Sequence, residues 1–535
     1  MPLTSITGTT PMNISSNKPA STNAVACTRR WRRPSPTRQS RRRTTTRLDF
    51  PDRSRSRAVI TARSTLDTPA VRSAKPEGVP REVTGWHSAA MPDVRLTAKQ
   101  FQEAGGTEDW RVLAVGASSW FDAPSHAAGA ELLRGIVALV DDGAPQPDVD
   151  LRPSGVHVRI PSGPTGLSAA DVSFARAISD IARGLELRAD PAALQSVQLA
   201  IDAVDTKAVM PFWRIVFGYE ESEDGLTDSL RRDPGIWFQQ ADQLRPLRNR
   251  IHVDVAWADD IDNTRRAEVL ANGGHVVNDE RPWVIDDPEG NEACLPLGPT
   301  AALGDDPETQ DWRQMGSAIT CYPTGSFRES VDLATAVARL ADDAGKGLMV
   351  DVRPGCITLD SGKDQHETEN FGLDEGFMEL ARRAQAAARG MGRPADPSPR
   401  RRFLQISIHA VDVPAVRPFW MAVLGYQQGP YQRLLQDIYD PRRINPVFWF
   451  QQIDAKDVHD EARRAQRNRI HVDLFVPDDQ AQARIDAALA AGGRIANDSE
   501  APAWWTLADP EGNEVDVAVA SGREEAPRPT SHAPA

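Results

Sequence analysis

The heptapeptide RNRIHVD occurs at 248–254 and again at 467–473, and this recurrence constrains the fold more than any other feature of the sequence. Longer matches surround it in the same order in both copies. AVDTKAVMPFWRIVFGY at 203–219 matches AVDVPAVRPFWMAVLGY at 410–426, WFQQ recurs at 237–240 and 449–452, and DPEGNE recurs at 287–292 and 509–514. A unit of about 200 residues is too long for a solenoid repeat. We therefore interpret the chain as an internal duplication of a two-domain cassette.

Each copy also contains a shorter upstream module, because DWR at 109–111 recurs at 311–313 and VDLRPSG at 149–155 matches VDVRPG at 350–355. We call the upstream modules A1 and A2 and the downstream modules B1 and B2. Segments rich in Pro and Gly join them, as is typical of linkers. The predicted boundaries are a disordered basic tail at 1–90, A1 at 91–190, B1 at 191–298, a linker at 299–310, A2 at 311–395, B2 at 402–520 and a disordered tail at 521–535.

Charge is unevenly distributed along the chain. Residues 1–90 hold 17 Lys and Arg against 5 Asp and Glu, so the other residues carry a net charge of −25 within a total of −13. The basic segment is rich in Arg, Ser, Thr and Pro and has too few apolar residues to offset the entropy of ordering it. The remainder is acidic and lacks the basic face that nucleic-acid binding requires. We therefore predict no nucleic-acid partner.

The sequence has no apolar run of the roughly 18 residues that a membrane-spanning helix needs, and no secretory signal. The four cysteines, Cys27, Cys294, Cys321 and Cys356, are irregularly spaced. They form no evident disulfide framework or zinc-ribbon pattern, which fits a reducing compartment. We therefore expect a cytoplasmic protein without a membrane partner.

The B modules alternate short strands with amphipathic helices. SVQLAIDAV alternates like a half-buried strand, and PFWRIVFGY is a short helix that ends at Gly218. RIHVDVAW begins a second strand–helix–strand set. The ordered series FW, LGY, WFQQ, NRIHVD and DPEGNE resembles the glyoxalase-like branch of the vicinal-oxygen-chelate superfamily. The resemblance covers about 105–120 residues of each copy and implies an α+β fold in which each B module pairs two βαβββ halves.

In the superfamily that the B modules resemble, the concave face of the sheet often holds one divalent metal, which acts as a Lewis acid on a chelating oxygen substrate. The resemblance places four ligand positions in each copy. The metal, if present, is unidentified, and the alternative is a metal-free pocket around the same histidines. The implied ligands are Gln198, Gln239 (or Gln240), His252 and Cys294 in B1, and Gln405, Gln451 (or Gln452), His471 and Asp516 in B2.

A small-molecule ligand would also need walls and a charged contact. Trp237 and Trp449 are candidate walls of an aromatic cleft, although tryptophans commonly pack in cores. Arg250 and Arg469 are candidates to bind a substrate carboxylate or phosphate, with a salt bridge inside the fold as the alternative. DPEGNE is interpreted as a turn in which Asp287 and Asp509 satisfy backbone amides.

The A modules read as small α+β units. PQPDVDLRPSGVHVRI followed by GLSAADVSFARAI resembles pterin-4a-carbinolamine dehydratase, a family in which paired histidines act as acid and base. Here the paired positions are Pro145 and Gln146 in A1 and Lys346 and Gly347 in A2. Asp171 matches an acidic position of that family, and it is the catalytic candidate, with Gln146 and His157 beside it. His366 in A2 lies near the position of a family histidine that is absent from this sequence. Because these replacements cannot shuttle protons near neutral pH, the dehydratase pattern is degenerate.

Three functions are compatible with these features. The first is a small-molecule-binding glyoxalase-like protein, with a metal-dependent lyase or isomerase activity if the B modules hold metal. The second is a pterin carbinolamine dehydratase that acts through A1. The third is a non-enzymatic binding or sequestering protein. The two B modules can pair within the chain, or two chains can form a homodimer.

Overall fold

The computed structural model describes residues 95–525 except 142, 163–165, 224, 258, 279–282, 296–302, 304–305, 364, 367–371, 397–400, 430–436, 454–461 and 463–464. The basic tail predicted at 1–90 therefore lies outside the described residues. The described helices are α1 (Ala98–Gln102), α2 (His126–Asp141), α3 (Ala169–Gly184), α4 (Thr206–Phe217), α5 (Asp259–Ala271), α6 (Phe327–Ala344), α7 (Glu375–Gly390), α8 (Val413–Leu424), α9 (Ala481–Ala490) and α10 (Ala520–Glu525).

The strands are short, and they alternate with these helices in the α+β pattern that the sequence predicts. In the first copy they are β1 (Arg111–Leu113), β2 (Gly116–Asp122), β3 (Asp148–Arg152), β4 (Gly155–Pro161), β5 (Arg188–Ala189), β6 (Ser196–Ala203), β7 (Glu220–Ser222), β8 (Gly225–Thr227), β9 (Ile236–Gln240), β10 (Ile251–Trp257), β11 (His275–Asn278), β12 (Trp283–Asp286) and β13 (Glu292–Leu295). In the second copy they are β14 (Arg313–Gln314), β15 (Ala318–Pro323), β16 (Met349–Arg353), β17 (Cys356–Asp360), β18 (Arg402–Ala410), β19 (Gln427–Gln428), β20 (Asp437–Tyr439), β21 (Val447–Gln452), β22 (Ile470–Phe475), β23 (Arg494–Asn497), β24 (Trp504–Ala508) and β25 (Glu514–Ala518).

The two A modules form one continuous sheet with the strand order β1-β2-β4-β3-β16-β17-β15-β14, and β5 lies beside β2. The modules join where β3 pairs antiparallel with β16, so that Asp150 stands opposite Asp351. Apolar residues of α2, α3, α6 and α7 pack with the sheet in one core. We call this nine-stranded layer the A sheet.

The two B modules exchange halves. Sheet I has the order β7-β8-β9-β6-β22-β25-β24-β23, and sheet II has the order β19-β20-β21-β18-β10-β13-β12-β11. Each sheet thus takes four strands from B1 and four from B2. The crossing points are the antiparallel pairs β6–β22 and β10–β18. The B modules therefore pair with each other inside one chain.

The helices α4 and α8 lie against the apolar faces of these sheets and share one core with them. Both helices begin at an aspartate that caps the first turn, Asp205 and Asp412, and both end at a glycine with a φ of 64°, Gly218 and Gly425. A glycine adopts this left-handed conformation without the strain that a Cβ would add. The predicted helix end at Gly218 is confirmed.

Two features differ from the expectations that the sequence raised. Cys321 on β15 and Cys356 on β17 are joined by a disulfide, although their spacing indicated no disulfide framework. The reason is that β15 and β17 are neighbours in the A sheet, which spacing alone does not reveal. In addition, α10 starts at Ala520 and occupies part of the segment predicted to be unstructured. Within the described part of the chain, no helix is long and apolar enough to cross a membrane.

Candidate metal and ligand site

The polar side chains of sheet I gather on the face opposite the helices because strand residues two apart share a face. Gln198, Ala200 and Asp202 follow one another on that side of β6. Pairing across β6–β22 sets Gln198 opposite Asp473 and Ala200 opposite His471. The parallel neighbour β25 sets Asp516 beside Asp473. The apolar residues between them, such as Leu199 and Val472, enter the core under the helices.

His471, Asp473 and Asp516 form a compact cluster on this face, with candidate ligand atoms all within 4.8 Å of one another. The His471 Nε2 lies 3.6 Å from the Asp473 Oδ1 and 3.8 Å from the Asp516 Oδ2. The other ring nitrogen, Nδ1, lies 3.6 Å from the Asp202 Oδ1. All four side chains are buried. We call these four residues the acidic cluster.

Several polar atoms of the acidic cluster have no hydrogen-bond partner within the described part of the chain. They are both ring nitrogens of His471 and one carboxylate oxygen each of Asp202, Asp473 and Asp516. A buried polar atom without a partner costs about 1–3 kcal/mol. Five such atoms on four neighbouring side chains are the arrangement expected where a cation supplies the missing contacts. The donor set of one imidazole with carboxylates suits a divalent metal, so the residues fit such an ion.

Burial and the neighbouring Asp473 raise the pKa of the Asp516 carboxyl, while His471 opposes the rise. Like charges held close in a dry site disfavour the ionised form of each. A divalent cation would relieve this repulsion because it pairs with both carboxylates at once.

Trp237 and Arg523 border the acidic cluster. The Trp237 Nε1 donates a hydrogen bond of 2.9 Å to the Asp473 Oδ2. The Arg523 Nη2 donates to the same oxygen, also at 2.9 Å. Arg245 lies on the other side and donates to the Asp202 Oδ2 at 2.6 Å. The side chain of Arg523 is 28% exposed, so it stands between the buried cluster and solvent.

The equivalent face of sheet II carries a different set of side chains. His409 takes the place of Asp202, Cys294 that of Asp516 and Ser407 that of Ala200, while His252 and Asp254 match His471 and Asp473. Two carboxylates are thus lost. This face contains no comparable cluster of metal-binding side chains among the residues that the structure describes.

Part of the polar face of sheet II is paired internally, while the His252 Nδ1 and the Asp254 Oδ1 have no hydrogen-bond partner among the described residues. The Asp254 Oδ2 accepts hydrogen bonds from the Gln405 Nε2 at 2.6 Å and from the Ser407 Oγ at 2.8 Å. Burial raises the pKa of Asp254, but the hydrogen bonds and the adjacent His252 outweigh it and hold the pKa below its usual value. Lys363 reaches in from A2 and donates to the Gln405 Oε1 at 2.6 Å. A cavity of about 90 Å³ opens beside Lys363 and Phe403.

The structure regroups the metal ligands that the sequence implied. The sequence analysis drew each set of four from a single module. In the structure Gln198 and Gln239 share sheet I with His471 and Asp516, whereas Gln405 and Gln451 share sheet II with His252 and Cys294. The reason is the exchange of halves, which pairs β6 with β22 and not with β10.

The candidate substrate-binding residues divide into two groups. Trp237 lies at the acidic cluster, and Trp449 lies beside Ser407 on sheet II. The two arginines hold turns: the Arg250 Nε donates to the Asn513 Oδ1 at 2.8 Å, and the Arg469 Nε donates to the Asn291 Oδ1 at 2.7 Å. Each arginine therefore clamps the DPEGNE turn of the other copy.

The DPEGNE turns have the structural role that the sequence predicted. The Asp509 Oδ1 accepts from the backbone amides of Glu511 and Asn513 at 2.8 and 2.9 Å. Asp287 makes the matching bonds in the first copy, from the amides of Glu289 and Asn291 at 2.9 Å. Each aspartate also accepts from a buried tryptophan of the nearby helix, which ties the turn to the core.

The candidate dehydratase residues of the A modules make structural contacts. Asp171 accepts hydrogen bonds from the amide and hydroxyl of Ser168, each at 2.8 Å, in a capping box at the start of α3. The His157 Nδ1 lies 2.8 Å from the Asp150 Oδ2 in the buried face of the A sheet. The His366 Nε2 donates to the Gly347 carbonyl at 2.7 Å. The dehydratase resemblance remains a prediction.

Three residues of the candidate site were not predicted from the sequence, namely Asp202, Asp473 and Arg523. Asp473 was detectable, because it lies two residues after His471 in the repeated heptapeptide and a strand places such residues on one face. Asp202 was detectable from Gln198 by the same alternation. Arg523 carried no signal, since it lies in a segment whose composition predicts disorder.

Comparison with known proteins identifies the class to which this architecture belongs. Residues 198–296 and 405–518 match the model of the glyoxalase-like domain family. The B modules are therefore glyoxalase-like domains of the vicinal-oxygen-chelate type, and the expected resemblance is confirmed for this part of the chain.

Among solved structures, glyoxalase I from Zea mays is similar with 10% identity and a TM-score of 0.32, and the match covers 62% of this chain and 95% of that chain. The cppA protein from Streptococcus pneumoniae TIGR4 is similar with 9% identity and a TM-score of 0.24, over 61% of this chain and 97% of that chain. No curated protein matches the chain.

Proposed function

We propose that this chain is a metal-dependent glyoxalase-like protein that binds a small molecule at the acidic cluster of sheet I. The observation that supports the proposal is the set of five unpartnered polar atoms on Asp202, His471, Asp473 and Asp516. His471, Asp473 and Asp516 would hold the ion, and Asp202 would orient the imidazole through its Nδ1. A divalent metal at this place supplies a Lewis acid that polarises a ligand oxygen, which is the chemistry of lyase and isomerase reactions in this superfamily.

The side chains around the ion would do the remaining work. Trp237 fixes Asp473 by its indole N–H and presents a half-buried ring toward the ligand. Arg523 neutralises part of the charge of Asp473 at the solvent side. Because the cluster is buried, water is kept from the face except where a ligand enters, and electrostatic interactions are stronger there than in water.

The test is the metal content of the full chain, measured by elemental analysis after incubation with Zn²⁺, Ni²⁺, Mn²⁺ and Fe²⁺ in turn. We expect close to one ion per chain in the native protein and a loss of that ion in His471→Ala. The matched control is His252→Ala, which removes the equivalent histidine from sheet II and should keep the ion. No bound metal under any of these conditions, or loss of metal in the control alone, would refute the proposal.

A second candidate function applies to sheet II. The replacement of two carboxylates, the mutual hydrogen bonds of the remaining groups and the adjacent cavity favour metal-free ligand binding there. In this case the chain combines one metal site with one binding pocket. Two ions per chain in the elemental analysis would rule this second candidate out.

A further inference from the structure

Arg523 is built into the acidic site from outside the glyoxalase-like fold. It lies on α10, which follows β25 and packs against α1 and β1 of module A1. Gly522 allows the close approach of α10 to module B2, because a Cβ at this position would come within 2.6 Å of the Pro502 carbonyl oxygen and 2.9 Å of the Ala503 Cα. Modules A1 and B2 thus both contact the helix that carries the arginine.

The guanidinium of Arg523 lies among aromatic rings. Its Cζ is 4.7 Å from the ring centre of Phe475, 5.3 Å from that of Trp504 and 5.8 Å from that of Trp237. Trp237 and Trp504 are half-buried, so part of each ring can still contact a ligand. A cation bordered by flat apolar surfaces is a binding arrangement for a flat molecule with an anionic end.

One donor of Arg523 has no partner among the described residues. The Nη2 donates to Asp473, whereas the Nε is buried and donates no hydrogen bond to a described residue. A guanidinium carries several N–H groups in a fixed fork, so one edge can hold Asp473 while another binds a ligand oxygen.

The charge of the site changes sign when a divalent ion binds. Asp202, Asp473 and Asp516, when ionised, contribute three negative charges, and Arg245 and Arg523, which pair with two of them, contribute two positive ones. The nearby Arg467 is balanced by Glu514 and adds no net charge. The metal-free site then carries −1, and a divalent ion makes it +1. A singly charged anion is therefore the ligand that neutralises the loaded site.

We propose that Arg523 makes the sheet I site a receptor for a flat monocarboxylate, whose carboxylate pairs with the guanidinium while its body packs on Trp237 and Trp504. This inference rests on the proposed metal site at the same cluster. It assigns a role to module A1, which positions the ligand-binding arginine through α10.

The test measures the binding of phenylglyoxylate and of its neutral methyl ester by isothermal titration calorimetry. The two probes share the ring and the oxo group and differ in charge. The full chain is compared with Arg523→Gln, with Arg523→Lys and with Arg183→Gln, an exposed arginine of A1 that pairs with Asp180 on α3. Each protein is used metal-stripped and after loading with each of the four ions named above.

We expect Arg523→Gln to weaken phenylglyoxylate binding roughly 10- to 100-fold, because a hydrogen bond between charged groups is lost, and to leave ester binding unchanged. Arg523→Lys should keep part of the affinity, and Arg183→Gln should keep all of it. Undiminished phenylglyoxylate binding in Arg523→Gln, or no binding of this probe to the native chain, would overturn the inference.

Metal content measured on the same samples separates the two proposals. Unchanged metal content in Arg523→Gln, together with weaker carboxylate binding, supports both. A native chain that takes up no metal but binds phenylglyoxylate through Arg523 removes the proposed function and leaves the role of Arg523 standing. Tighter metal binding in Arg523→Gln with unchanged carboxylate affinity would show that Arg523 is only the counterion of Asp473.

Discussion

At the scale of single residues, the buried His157 of the A sheet shows that a candidate catalytic side chain can have a structural role. His157 contacts Asp150, which in turn pairs with Arg353 at 2.5 Å. Burial lowers the pKa of His157, and the hydrogen bond to Asp150 only partly opposes this effect. The imidazole is thus a neutral part of a buried ionic network, which leaves it poorly placed to exchange protons with a substrate.

This environment predicts a pH dependence of stability. The folded pKa of His157 lies below its unfolded value of about 6.5, so the unfolded chain binds more protons between these two values. The free energy of unfolding should then fall as the pH drops from about 6.5 toward the folded pKa. In His157→Gln this contribution is absent, so the decline should be shallower. Urea unfolding from pH 7.5 to pH 5 measures this free energy, and the same dependence on pH in both proteins would contradict the assignment.

At the scale of elements, the seam between β3 and β16 joins the two A modules through buried charges. Arg353 on β16 pairs with Asp150 on β3 and donates to the carbonyls of Val149 and Leu230 at 3.0 and 2.8 Å. The bond to Leu230 also reaches module B1. Because Arg353 has little exposure, its charge is compensated by the seam and not by water.

Removal of one partner from the seam should be more damaging than removal of both. We expect Arg353→Ala to lower the free energy of unfolding by about 3–5 kcal/mol, because it leaves the Asp150 carboxylate buried without its main counterion. The double variant Arg353→Ala/Asp150→Ala should be about 1–3 kcal/mol more stable than the sum of the single changes implies. Denaturant unfolding of the native chain, Arg353→Ala, Asp150→Ala and the double variant completes this double-mutant cycle. Strict additivity would mean that the pair does not couple across the seam.

The elements themselves could largely be predicted from the sequence, and the strand partners could not. Alternation identified β6, and Gly218 marked the end of α4. The sequence does not show whether these strands pair within one copy or between copies. RNRIHVD is identical in both copies, so either strand could pair with the same partner. For this reason His471 and Asp516 were grouped with Gln405 and Gln451, whereas in the structure they share a sheet with Gln198 and Gln239.

At the scale of the whole molecule, the exchange of halves predicts the behaviour of fragments. A chain cut in the linker at 299–310 yields two fragments, each with four strands of sheet I and four of sheet II. Each fragment alone leaves the inner edges of β6 and β10, or of β18 and β22, unpaired, and exposed edges drive association. We expect residues 91–298 alone to form dimers or aggregates, and to form a one-to-one complex when produced together with residues 299–535.

Size-exclusion chromatography with light scattering distinguishes these states. A folded, monomeric fragment 91–298 with the far-UV signal and cooperative unfolding of a complete domain would contradict the exchanged arrangement. The uncut chain is the control for both fragments.

Because the halves are exchanged, the duplication also does not give the protein two independent copies of one site. The acidic cluster combines His471, Asp473 and Asp516 from the second copy with Asp202 from the first, and the sheet II face combines His252 from the first with Gln405 from the second. Loss of either copy would therefore disrupt both sites, and the other copy cannot act as a backup for it. The two similar halves are therefore not redundant, because each site is built from residues of both copies.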